Sequence, residues 1–487
     1  MIATDRAPDL ATVAALLPAV WETGLKATSL LRDTWDPSRG TPVFTEAGTY
    51  TTRGWTEWTQ GFQFGNMLYL YEATGERAML EAGRRGTLTA MAPHLTHTGV
   101  HDHGFNNVST YGNLLRMMAE QKIPYDRWEA QFYRLALKVS GAVQASRWTA
   151  TSDGGGFVHS FNGAHSLFSD TIRSMRALAL AHQLGHVLMG EQDRAISLVD
   201  RLFDHAASTA HFNVYYGQGR DGYDVRGRVV HESIFNTANG VYRCASTQQG
   251  YSPFSTWTRG LAWVLAGYPE ELEWLRDRGA AVAAHNRIAA TEREWIRTAC
   301  ATADFHLTTT PPDGVPYWDT GAPGLDRSGA WQEQVADPFT VTEPVDSSAA
   351  AIAAQGLLRL GTYLVTEADR LAQVELDLDG NGAAVHNAAA IKQQGARYRA
   401  AALVTARTLF SEPYLNSDPT HQGILLHSIY HQPNRWDYVP AGSSVPYGES
   451  CMWGDYHLLE LALMVQREAD GKAAQRFFDI DVPGDTP

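Results

Sequence analysis

Apolar residues recur at helical spacing along most of the chain. The pattern predicts helices over 10–32, 58–74, 76–94, 107–122, 126–148, 167–188, 191–211, 257–278, 283–306, 347–364, 386–411 and 452–468. These twelve fall into six pairs. No strand–helix–strand alternation is visible, nor a G-x-G-x-x-G or G-x-x-x-x-G-K-[ST] loop, which argues against the common nucleotide-binding folds. Strand-like sequence is confined to connectors such as Phe212-Asn213-Val214-Tyr215-Tyr216 and Gly227-Arg228-Val229-Val230. The long connectors, 33–57, 212–256, 307–346 and 412–451, are rich in Gly, Pro, Trp and His. Loops of that kind on a rigid scaffold usually carry the function. The expected fold is therefore all-α, an (α/α)6 barrel of six helical hairpins. A single domain would span 1–487, with a loop insertion at 321–345.

Composition narrows the function. The chain has 487 residues, 44% hydrophobic and 19% charged, which is a globular balance. No window approaches ~18 uninterrupted apolar residues, so no membrane span is expected. The start, Met1 to Asp9, lacks a basic segment followed by an apolar one. A leader is then absent or already removed, and a cytoplasmic location is the expectation. Cys244, Cys300 and Cys451 are too few and too scattered for a disulfide framework or a Cys-based zinc site. A net charge of −14 disfavours nucleic acid as a partner. It also means that an anionic ligand needs a local site of Arg, His and amide groups. Fourteen Trp and twenty Tyr suit a carbohydrate cleft, where sugar C–H faces stack on rings, although large helical cores use Trp too.

The even-numbered helices begin with small or capping residues, as in Trp257-Thr258-Arg259-Gly260 and Asp346-Ser347-Ser348-Ala349. If these helices line the inside of the toroid, their N-termini converge on one mouth and favour an anionic ligand there. Two aspartates stand out near such starts: Asp102 in His101-Asp102-His103-Gly104-Phe105, and Asp170 in Phe168-Ser169-Asp170-Thr171. A carboxylate pair equips an enzyme for glycoside chemistry, one member staying charged and raising the pKa of the other. Taken singly, each is more readily explained as a helix cap. His101 and His103 lack a third ligand at a recognisable spacing, so neither a metal nor a cofactor is expected.

Nine short motifs, in order between Trp58 and Glu460, resemble those of the unsaturated glucuronyl hydrolases, glycoside hydrolase family 88. They include Trp58-Thr59-Gln60-Gly61-Phe62, His101-Asp102-x-Gly104-Phe105, Phe168-x-Asp170, Gln248-Gln249-Gly250-Tyr251 and Trp257-Thr258-Arg259-Gly260-x-Ala262-Trp263. Asp313-Gly314-Val315-Pro316-Tyr317-Trp318-Asp319, Asp346-Ser347-Ser348, Leu425-Leu426-His427-x-x-Tyr430-His431 and Trp453-Gly454-Asp455-Tyr456 complete the set. The resemblance implies the same barrel and hydration of a vinyl ether. Its substrate is an unsaturated uronyl oligosaccharide, made by a lyase and ending in a 4,5-unsaturated uronic acid. By that likeness Asp170 is the general acid and then the base, and Asp102 holds charge beside it. Trp58, Phe62 and Trp263 stack on the sugar, while His101, His231, Gln249 and Arg259 bind its hydroxyls or carboxylate.

The chain departs from the family at several points. Leu261 replaces a usual Gln, Ser174 a usual Asn, Arg173 adds a charge, and Asn106 and Asn107 stand where aromatics are common. The region 365–395 is long, and within it Glu375-Leu376-Asp377-Leu378-Asp379-Gly380 partly matches a calcium loop but has His386 where Glu belongs. A rhamnogalacturonyl hydrolase or atypical uronidase on the same barrel, a sugar 2-epimerase and a sugar-binding module are the alternatives.

Overall fold

The computed structural model describes residues 1–54, 57–279, 287–374, 376 and 387–482. The segment 375–386, with its partial calcium-loop pattern, lies outside the described residues apart from Leu376. All twelve expected helices are present. Six form an inner ring: Gln60–Thr74; His103–Asn107, which runs through a π-helical turn Val108–Gly112 into Asn113–Ala119; Thr171–Ser174 with Arg176–Gln183; Thr258–Arg278; Ser347–Leu371; and Met452–Ala469. Each packs on the next, and the last closes on the first. Six more lie outside: Leu17–Thr34, Arg77–Ala90, Arg127–Ser146, Leu198–Ser208, Ile288–Thr309 and Ala388–Leu409. The chain thus forms the (α/α)6 barrel expected of it.

The inner helices are buried on nearly every side. Along Ser347–Leu371 the run Ser347-Ser348-Ala349-Ala350-Ala351-Ile352-Ala353-Ala354 has no exposed side chain. A helix that is apolar all round belongs in the middle of a protein. Close approach in the ring depends on glycine. A Cβ at Gly356 would lie 2.2 Å from the Leu265 carbonyl oxygen, and one at Gly104 2.2 Å from that of Ser174. Deeper along the axis, buried ion pairs join the helices. Arg173 meets Glu270 at 2.9 Å and Glu460 at 3.3 Å, and Arg359 meets Glu273 at 2.8 Å. Arg173, unexpected beside the site, therefore belongs to this axial network.

Strands occur only in connectors, as expected, but not where the sequence was most strand-like. The largest sheet joins Ser166–Phe168, Glu232–Phe235 and Tyr242–Ser246 in antiparallel order. Residues 212–216 contribute a single bridge, Val214 to Val229. The sixth helix starts at Thr171, four residues later than its periodicity suggests, because Ser166–Phe168 is claimed by that sheet. Strand, turn and helix start together fix Asp170. The 321–345 segment is a loop with two 3-10 turns, Leu325–Ser328 and Trp331–Glu333. Among the described residues no helix is long and apolar enough to cross a membrane.

Candidate active site

The inner helices point their N-termini at one face, and a cavity of about 770 Å³ opens there. Its walls come from the helix starts, Trp58, Asp102, Phe105, Asp170, Trp257, Arg259 and Trp263, and from loops carrying His101, Phe161, Gln249, Tyr430, His431 and Trp436. Trp58 is stacked on Trp453 at 5.0 Å, and Trp263 packs on Phe105 at 4.8 Å. These indoles form rigid apolar walls of the kind a sugar face meets.

His101 links the two aspartates. The Phe161 backbone amide donates to its Nδ1 at 3.2 Å. An amide can only donate, so the ring's hydrogen sits on Nε2. That nitrogen donates to Asp170 Oδ1 at 3.2 Å and lies 3.9 Å from Asp102 Oδ1. Burial favours the neutral form of all three groups. At Asp170 the His101 hydrogen bond and nearby positive charge outweigh burial and hold the carboxyl below the usual range. At Asp102 burial prevails, reinforced by Asp170 and opposed by His101 and Arg147, so the carboxyl is raised. Burial also opposes charging His101, but the two carboxylates outweigh it and raise the ring's proton affinity. The expected division of charge is thus reversed in the open pocket: Asp170 is the ionised member and Asp102 holds the proton more firmly. The cause is the choice of His101 Nε2–H between them.

Neither aspartate caps its own helix, although each occupies the N-cap position. His103 faces away from the pocket, bonded to Ser140 Oγ at 3.1 Å and the His97 carbonyl at 3.0 Å.

Three residues assigned to the ligand sit otherwise. Phe62 is fully buried under the wall, 4.7 Å from the Tyr456 ring, and does not line the cavity. His231 stands behind the wall. Its Nδ1 accepts the amides of Gln248 at 3.1 Å and Gln249 at 3.4 Å, its ring lies 4.3 Å from Phe168, and burial lowers its pKa to about 4. Arg259 reaches the wall, but its fork is occupied. It pairs with Asp346 at 2.7 Å and donates to the Ile429 carbonyl, to the Tyr430 carbonyl at 2.6 Å and to Gln249 Oε1 at 3.3 Å. It sits over the rings of Trp257 and Trp453, at 4.7 and 5.0 Å. Arg259 therefore braces the loops that carry Gln249, Tyr430 and His431.

Wall residues overlooked in the sequence include Phe105, Trp257, Tyr430 and His431, all inside recognised motifs. Phe161, Asn434 and Trp436 lie in connectors with no local signal.

Several known proteins are similar to this chain. An unsaturated glucuronyl hydrolase of Formosa agariphila is 23% identical over 418 residues, covering 83% of this chain and 78% of its own. An unsaturated chondroitin disaccharide hydrolase of Streptococcus pneumoniae is 24% identical over 424 residues, covering 85% and 83%. The solved structure of the unsaturated glucuronyl hydrolase from Bacillus sp. GL1 superposes with a TM-score of 0.64 at 21% identity, covering 96% of this chain and all of that one. The sequence profile of Glycosyl Hydrolase Family 88 matches residues 39–290, just over half of the chain. The protein is a glycoside hydrolase, a member of glycosyl hydrolase family 88.

Proposed function

We propose that this protein hydrolyses oligosaccharides whose non-reducing end is a 4,5-unsaturated uronic acid, using one catalytic barrel. The observation that carries this reading is Asp170 and Asp102 joined through His101 in a pocket with indole walls. A proton is delivered to C4 of the vinyl ether, leaving an oxocarbenium centre at C5. Water adds there and gives its proton to the emptied carboxylate. The resulting hemiketal opens, and the hemiacetal at C1 releases the rest of the sugar. One group must be protonated first and ionised later, which calls for a pKa near working pH. Both carboxylates face His101 Nε2, and the Asp170 charge raises the proton affinity of Asp102, so ionising one affects the other. Asp170 delivers the proton, and Asp102 holds it until the substrate's own carboxylate arrives and raises the proton affinity of its neighbours.

The split between the aspartates favours a second reading, in which Asp102 is the acid and Asp170 the base. Lyase-generated disaccharides test both. Turnover removes the ultraviolet band of the conjugated uronate, which a 2-epimerase leaves unchanged. If Asp170 is the acid, Asp170→Asn takes the larger loss, about 10²–10⁴-fold in turnover, while Asp102→Asn retains a higher rate with its alkaline limb moved to lower pH. The reverse pattern makes Asp102 the acid.

A further inference from the structure

A helix start leaves its first N–H groups without partners, and an aspartate at the N-cap ordinarily accepts from the second or third of them. In the helix that begins at His103, the third amide, Phe105, bonds the Asp102 carbonyl at 3.0 Å. The second, Gly104, bonds Ser174 Oγ at 2.8 Å, from the neighbouring inner helix. Ser174 Oγ also donates to the His101 carbonyl at 2.7 Å, and Gln144 Nε2 donates to that carbonyl at 2.8 Å and to Ser174 Oγ at 3.0 Å. Ser174 and Gln144 are completely buried. The backbones are so close that only glycine fits at 104. The same device recurs next door, where Asn106 Oδ1 accepts the Gly61 amide at 2.8 Å at the start of Gln60–Thr74.

We infer that Ser174 is a positioning residue: by capping the Asp102 helix from outside, it leaves the Asp102 carboxylate free to face the pocket. Asp102 then faces His101, 3.9 Å away, and feels the charges of Asp170, Arg147 and His97 instead of bonding its own backbone. Without the serine hydroxyl, the Gly104 amide is a buried donor in need of an acceptor, and the Asp102 carboxylate at the N-cap is one that chain geometry offers it. Asp102 would turn to cap, and a carboxylate that accepts an amide hydrogen loses proton affinity.

This inference builds on the hydrolase reading, but one arm of its test needs no substrate. In Ser174→Ala, and in the size-matched Ser174→Cys, the Asp102 carboxyl should titrate at lower pH by carbon-detected NMR of the free protein. With unsaturated disaccharide, kcat should fall about 3- to 10-fold, the worth of one hydrogen bond, with KM little changed. In an Asp102→Asn background the same changes should cost nothing further. The idea fails if either variant leaves the Asp102 titration where it was, or if the loss in kcat persists undiminished in that background. Absence of wild-type turnover on unsaturated disaccharides would instead count against the hydrolase reading, and the titration would still decide the role of Ser174.

Discussion

Four aspartates stand at the starts of inner helices, and they divide into two kinds. Asp346 is saturated. One oxygen accepts the Ser348 amide at 3.1 Å, the Ala349 amide at 3.3 Å and the Ser348 hydroxyl at 2.5 Å, and the other pairs with Arg259. Asp455 likewise accepts the amides of Ile424 and Leu425 and the hydroxyls of Ser450 and Tyr50, all within 2.9 Å. Asp102 and Asp170 are also buried, though each keeps an edge open to the pocket, and among the described residues the only side-chain hydrogen bond to either comes from His101. A carboxylate with its lone pairs satisfied is architecture. One that lacks such partners keeps its proton chemistry available, at a cost in stability that the rest of the barrel carries.

The sharpest way to break this division is Asp170→Asn. It should lower turnover by about 10²–10⁴-fold, the contribution of general acid–base catalysis. Its thermal midpoint should stay near that of the wild type. A large drop in midpoint with modest loss of turnover would place Asp170 with the saturated pair. Asp346→Asn should show the opposite profile. Removing one partner of a buried ion pair costs about 3–5 kcal/mol, so denaturant unfolding should report a loss of that order.

Arg259→Lys tests the same division from the cation's side. Lysine keeps the charge and loses the planar fork. The loss should be about 1–3 kcal/mol, in the range of hydrogen bonds to charged groups, and should appear in both stability and substrate binding. Because the fork holds Asp346 and two carbonyls, a uronate substrate and its carboxyl ester should weaken equally. A loss confined to the acid would make Arg259 a ligand of the substrate carboxylate.

The smallest effect is a matter of sign. Asp102 has a raised folded pKa, so its contribution to stability is present below about pH 3.9, the ordinary aspartate value, and is lost as pH rises through the folded value. Asp170 is shifted down, so its contribution is present above that ordinary value and lost as pH falls through its folded value. Between about pH 4 and neutrality, Asp102→Asn should therefore gain stability relative to the wild type, and Asp170→Asn should lose a little. Melting curves across that range check the two slopes, and parallel slopes would remove the difference between the carboxylates.

Much of this was legible in the sequence. The 3.6-residue period locates all twelve helices, because apolar residues recur at that spacing along the inner helices, which are buried on nearly every side, and along one stripe of each outer one. The motifs locate Asp102, Asp170, His101, Gln249, Trp58 and Trp263, all of which line the cavity. Phe62 and His231 sit in or near the same motifs but behind the wall, since a motif records neighbours in the chain and not the side of a wall a ring occupies. Phe161 and Trp436 gave no signal, because loops converge on the mouth from distant parts of the chain.

The sequence by itself determined the helical pairs, the reversal of the chain between them and the placing of small or capping residues at the inner helix starts. These follow from local periodicity and from the few side chains that can end a helix. Only the tertiary structure decided which aspartates are tied into the backbone and which are left facing the pocket, since that depends on who supplies the hydrogen bonds. Ser174 lies 70 residues from Gly104 in the chain, and Arg259 lies 87 from Asp346. Partners so far apart meet only when the ring closes, and it is their meeting that leaves two carboxylates uncommitted at its mouth.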